Sequence, residues 1–141
     1  MPGPRLVVTS LVSQVARGIR TALDQRFSEL GLTSQQAGVL LHVSGGTTSP
    51  RALADLLGTD TAGMTRLVDR LAEKGYLRRL PATTDRRAIT VELTAAGRTL
   101  LPKIKPVFDE VAAAVTAGIP AATLPDVLKA LETMRANMDD L

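Results

Sequence analysis

Between residues 49 and 74 two apolar periodicities are separated by only three residues, Gly58-Thr59-Asp60, and that spacing limits the available folds more than any other feature of the chain. Ser49 followed by Pro50 reads as a helix start, with a capping hydroxyl before a proline at the first helical position. Leu53, Ala54, Leu56 and Leu57 then form an inward face, and Gly58 breaks the helix. The Asp60 carboxylate can accept backbone N–H bonds from a new helix running to about Lys74, where Met64, Leu67, Val68 and Leu71 take the i, i+3, i+4, i+7 spacing of a buried face. Two helices therefore meet at a tight turn. After Gly75 the period changes from helix to strand: Leu77–Leu80 is short and extended, and Ile89, Val91 and Leu93 alternate with Ala88, Thr90, Glu92 and Thr94. The six residues from Pro81 to Arg86 exceed a two-residue hairpin turn, so the tip is expected to project.

Helical patterns flank this middle. Leu11, Val12, Val15, Ile19, Leu23, Phe27 and Leu30 mark a long first helix ended by Gly31. Thr33 or Ser34 can cap a second helix, with Val39, Leu40 and Val43 inward, that stops near Ser44. Thr94 can cap a fifth, which carries an apolar stripe from Leu100 to Val115; Pro102 and Pro106 predict a bend near Lys103. Gly118 and Pro120 end it, and a last helix spans about Leu124 to Asp139. The expected fold is mainly α with a small β-hairpin wing. A single domain of residues 1–141 would hold a helix-turn-helix and wing at 33–94, with helical regions at 5–30 and 95–141.

Composition removes several function classes. The 141 residues contain no cysteine, which excludes disulfide frameworks, thiolate metal sites and cysteine redox switches, and fits a cytoplasmic protein. His42 is the single histidine, and no nucleophile or ligand motif surrounds it, so neither a catalytic triad nor a metal site is expected. Scattered carboxylates and the absence of a glycine-rich phosphate loop argue against an enzyme, and no cofactor is implied. The longest uncharged runs, Leu30–Pro50 and Val111–Pro125, are broken by Gly, Pro, Ser and Thr, so no membrane span is expected.

The net charge of +3 is modest, but its placement is not. From Ala62 to Arg87 seven basic residues (Arg66, Arg70, Lys74, Arg78, Arg79, Arg86, Arg87) stand against three acidic ones (Asp69, Glu73, Asp85), a local +4. Phosphate oxygens are met by Arg, Lys, Thr and helix N-terminal N–H groups, and a fork-shaped guanidinium can also read guanine. Thr61, Thr65, Arg66 and Arg70 supply those groups, while Ala62 and Gly63 leave the helix's first turn nearly bare. The bland alternative is that Asp69 and Glu73 pair with the basic residues of their own helix as a solvated face. The order helix, turn, helix, hairpin is that of a winged helix-turn-helix, whose second helix enters the major groove of DNA.

Four segments, Met64-Thr65-Arg66-Leu67-Val68-Asp69-Arg70-Leu71, Lys74-Gly75-Tyr76-Leu77, Asp85-Arg86-Arg87-Ala88 and Leu93-Thr94-Ala95-Ala96-Gly97-Arg98, together resemble the MarR family of bacterial transcriptional regulators. The resemblance implies a homodimer that binds a short palindrome in double-stranded DNA, more often as a repressor, and is often released by a small phenolic or other anionic lipophilic compound. It also implies that Thr61, Ala62, Gly63, Thr65, Arg66 and Arg70 meet the major groove. Arg87 would enter the minor groove, Asp85 would orient it, and Arg86 would sit nearer phosphate. Many members carry an aromatic residue early in the second helix, where this chain has Ala37 beside Gly38. Apolar stripes on the terminal helices independently suggest pairing of two chains, because the compact middle cannot cover both. The rival reading is a winged-helix module that binds another protein without reading DNA.

Overall fold

The computed structural model describes residues 1–81 and 89–141. They form two compact units, Met1–Val111 and Ala112–Leu141. The first holds α1 (Pro4–Phe27), α2 (Ser34–Ser44), α3 (Pro50–Leu57), α4 (Thr61–Glu73), an antiparallel pair β1 (Leu77–Pro81) and β2 (Ile89–Leu93), and most of α5 (Ala95–Val115). The second contains the end of α5 and α6 (Leu124–Met138).

The start and stop signals act as their chemistry requires. Gly31 ends the first helical segment in the left-handed region at φ 70°. Thr33 caps α2 in a reciprocal box: its hydroxyl accepts the Gln36 N–H, and Gln36 Oε1 accepts the Thr33 N–H, both at 3.1 Å. Ser49 Oγ accepts the Ala52 N–H ahead of α3, and Asp60 Oδ1 accepts the Gly63 N–H at 2.6 Å ahead of α4. Thr94 Oγ1 accepts the Gly97 N–H and also donates to the Gly75 carbonyl at 2.5 Å, which links the start of α5 to the end of α4.

The core of the first unit is built from α1 to α5 and the hairpin. Phe27, Leu40, Leu53, Met64, Leu71 and Ile104 are its largest fully buried side chains. Phe27 of α1 meets Phe108 of α5 with ring centroids 5.1 Å apart. In β2 Val91 and Leu93 are buried, whereas Ile89 is exposed because the strand runs outward past the body. Leu77 pairs with Leu93 and Pro81 with Ile89, so the hairpin stays in register to its outer end. The Val91 N–H donates to the Thr48 carbonyl at 2.9 Å, which fastens the wing to the loop before α3.

Several expectations change. Leu56 faces solvent, not the core: α3 has only two turns, and its inward stripe is Leu53, Ala54 and part of Leu57. The first helix begins at Pro4, and its N-terminal apolar residues Leu6, Leu11 and Val15 are exposed. α5 is one helix through Pro102 and Pro106, each of which removes one N–H from the ladder. In the second unit Leu124, Val127, Leu128 and Leu131 of α6 are exposed.

Candidate nucleic-acid interface

The amphipathicity of α4 sorts its residues. Met64, Val68 and Leu71 are buried, which turns Thr61, Ala62, Thr65, Arg66 and Arg70 to solvent, with Gly63 partly exposed beside them. The structure thus brings all six of the expected helix residues to one face. Thr65 Oγ1 donates to the Thr61 carbonyl at 3.0 Å, leaving the first turn compact. Asp85, Arg86 and Arg87 lie outside the described residues.

The charges do not pair as a solvated helix would. Asp69 binds Arg79 on β1 instead of a basic residue of its own helix. Arg78 pairs with Glu92 across the hairpin at 2.7 Å, and Lys74 Nζ donates to the Gly31 carbonyl. Among the described residues Arg66 and Arg70 take part in no ion pair. The acids near them are engaged elsewhere: Asp60 caps α4 and Asp69 holds β1. Two guanidinium groups consequently stand free on an exposed helix face, which suits them to meet anionic oxygens or base edges.

Two clefts adjoin this face within the first unit. One, of about 690 Å³, is bordered by Arg20 and Asp24 of α1, Gln35 of α2 and Gly63, Arg66 and Arg70 of α4. The Asp24 carboxylate accepts the Ser34 N–H at 2.7 Å there, so α1 supplies a second cap for α2. The other, of about 490 Å³, has apolar walls from Leu23, Leu41, Leu57 and Phe108 with Arg20 and His42 among its polar lining. Gly38 lets Leu57 approach closely, since a Cβ there would lie 3.0 Å from Leu57 Cδ2. Ala37 and Gly38 thus leave room that an α3 leucine takes up. Among the described residues no group of three or more acidic or histidine side chains is placed to hold a metal. No helix among them is long and apolar enough to cross a membrane.

Sequence reasoning missed three of these contacts: Asp24 with Ser34, Asp69 with Arg79, and Val91 with Thr48. Each joins residues that are distant in the chain, two of them through a backbone group that carries no residue signature.

A sequence profile described as the MarR family matches residues 30–88. Over 105 residues the chain is 33% identical to the HTH-type transcriptional regulator PecS of Dickeya dadantii (strain 3937), covering 72% of this chain and 63% of PecS. The chain belongs to the MarR family. This MarR-family chain therefore spans less than two thirds of that curated relative's length. Its fold is similar to a mutant MarR from E. coli complexed with operator DNA, with a TM-score of 0.79, 25% identity, and coverage of 90% of this chain and 92% of that one. It is also similar to CouR from Rhodococcus jostii RHA1 bound to p-coumaroyl-CoA, with a TM-score of 0.82, 25% identity and 91% coverage of both chains. The MarR-family architecture accounts for the element order found here, α3 and α4 forming the helix-turn-helix and β1 and β2 the wing.

Proposed function

We propose that this MarR-family chain is a transcriptional regulator that binds double-stranded DNA as a homodimer. The observation that carries this reading is the free pair Arg66 and Arg70 on the exposed face of α4, next to a first turn made of Thr61, Ala62 and Gly63. In this reading α4 enters the major groove, and Thr61, Thr65 and Arg70 reach phosphate or base edges beside Arg66. The wing residues Asp85, Arg86 and Arg87 serve the adjacent minor groove, Arg87 inserting and Asp85 orienting it, as the family resemblance implies.

The exposed apolar stripes of α1 and α6 supply the dimer contact, and two-fold pairing would set two reading helices about 34 Å apart, one turn of duplex. The target is then a palindrome, and occupancy of a promoter makes the protein a repressor. The cleft of about 490 Å³ with Arg20 and His42 above apolar walls suits a small anionic effector with a lipophilic body, whose binding would release the DNA. It needs no cofactor.

The test is selection of duplex fragments bound from the source genome, followed by titration at several salt concentrations. A palindrome should be enriched, and log affinity should fall linearly with log salt at about −0.9 per phosphate neutralised. No enrichment, or affinity flat between low and moderate salt, would refute the reading and favour a protein-binding module.

A further inference from the structure

Arg66 and Arg70 differ in where their guanidinium groups sit, and the difference assigns them separate tasks. A Cβ built on Gly63 would lie 3.9 Å from Arg66 Nη2 and 2.9 Å from Asp60 Oδ1. The Arg66 side chain therefore folds back one turn along α4 and rests beside the bare glycine, as helical side chains do when they cover the turn before their own Cα. Its fork lies at the N-terminal end of α4, the end from which a recognition helix touches base edges. Arg70 stands one turn further on, about 6 Å along the axis.

Three further facts fit a fork that reads a base. Asp60, the nearest acid, spends Oδ1 on the Gly63 N–H and forms no ion pair with Arg66 among the described residues. Ala62 and Gly63 add almost no bulk, so this turn can reach the groove floor. A guanidinium has only donors, and guanine alone offers two major-groove acceptors, N7 and O6, at matching separation. Adenine presents a donor beside its N7, which would leave a desolvated N–H of the fork facing another donor.

We propose that Arg66 is the specificity-determining residue of this chain and reads one guanine in each half of its target, with Gly63 as the positioning residue that gives the fork its seat. The inference rests on the reading that α4 enters the major groove. Arg70 contributes affinity without base choice.

The experiment uses the full chain and the duplex enriched from its genome. Each guanine is replaced in turn, symmetrically in both halves, by 7-deazaguanine, which keeps base pairing and removes N7. Affinity should fall about tenfold at one symmetric pair and little elsewhere. In Arg66→Ala that ratio should shrink to near one. Arg66→Gln should prefer adenine at the same pair, because an amide matches adenine N6 and N7. Gly63→Ala should reduce the ratio while helix content by circular dichroism stays close to that of the parent; Arg70→Ala should keep the ratio and lower affinity for every duplex. If the ratio survives in Arg66→Ala, vanishes in Arg70→Ala, or appears at no guanine, the inference is overturned while DNA binding stands. If no duplex is bound at all, the underlying reading fails as well.

Discussion

The Asp69 carboxylate on α4 is paired with the Arg79 guanidinium on β1. This bond crosses from the helix to the first strand of the wing, and it removes the acid best placed to neutralise Arg66 and Arg70. The same interaction orients the hairpin base and leaves the outward face of α4 cationic. Both side chains are nearly half exposed, 44% for Arg79 and 48% for Asp69, so solvent screens the pair.

Asp69→Ala should accordingly change stability by no more than about 1 kcal/mol, read from urea unfolding. A loss of several kcal/mol would show that the pair anchors the wing far more strongly than its exposure allows.

Gly97→Ala should be among the most destabilising single-atom additions in the chain. The added Cβ would press into the Tyr76 carbonyl, which already accepts the Thr94 N–H at 3.1 Å, and backbone cannot swing aside as a flexible side-chain end does. A loss of about 1–3 kcal/mol is expected by chemical denaturation. Unchanged unfolding would mean that α5 crosses Tyr76 at a greater distance.

Thr33→Ala removes one half of the α2 capping box and should cost about 1 kcal/mol in the same measurement. Thr33→Ser, which keeps an accepting hydroxyl, should recover most of it.

Arg70→Ala should reduce the magnitude of the salt slope of DNA binding by about one, the signature of a single lost phosphate contact. A slope equal to that of the parent would place Arg70 away from the duplex.

Leu11→Glu puts a charge on the α1 stripe at a residue 52% exposed in the single chain. Sedimentation should show the parent as a dimer and the variant shifted towards monomer, with intact helical content because Leu11 supports no part of the core. A variant as dimeric as its parent would locate the interface elsewhere.

The sequence by itself determined the elements, because their signals are local. Apolar spacing, the capping residues Thr33, Ser49, Asp60 and Thr94, and glycines that turn the chain at positions 31, 58 and 75 all act within a few residues. It also indicated the cationic face of α4, since a helix with Met64, Val68 and Leu71 inside must carry Arg66 and Arg70 outside. Local signals were weaker where a short element or strand end ran past the body, as at Leu56 and Ile89. Only the tertiary structure decided which charges are spoken for. Asp69 takes Arg79 and Asp24 caps α2 across ten residues because packing brings them within bonding distance, and no periodicity encodes that proximity. The seat of Arg66 beside Gly63 lies between these cases: the spacing permits it, and the fold of the side chain over a bare turn makes it real.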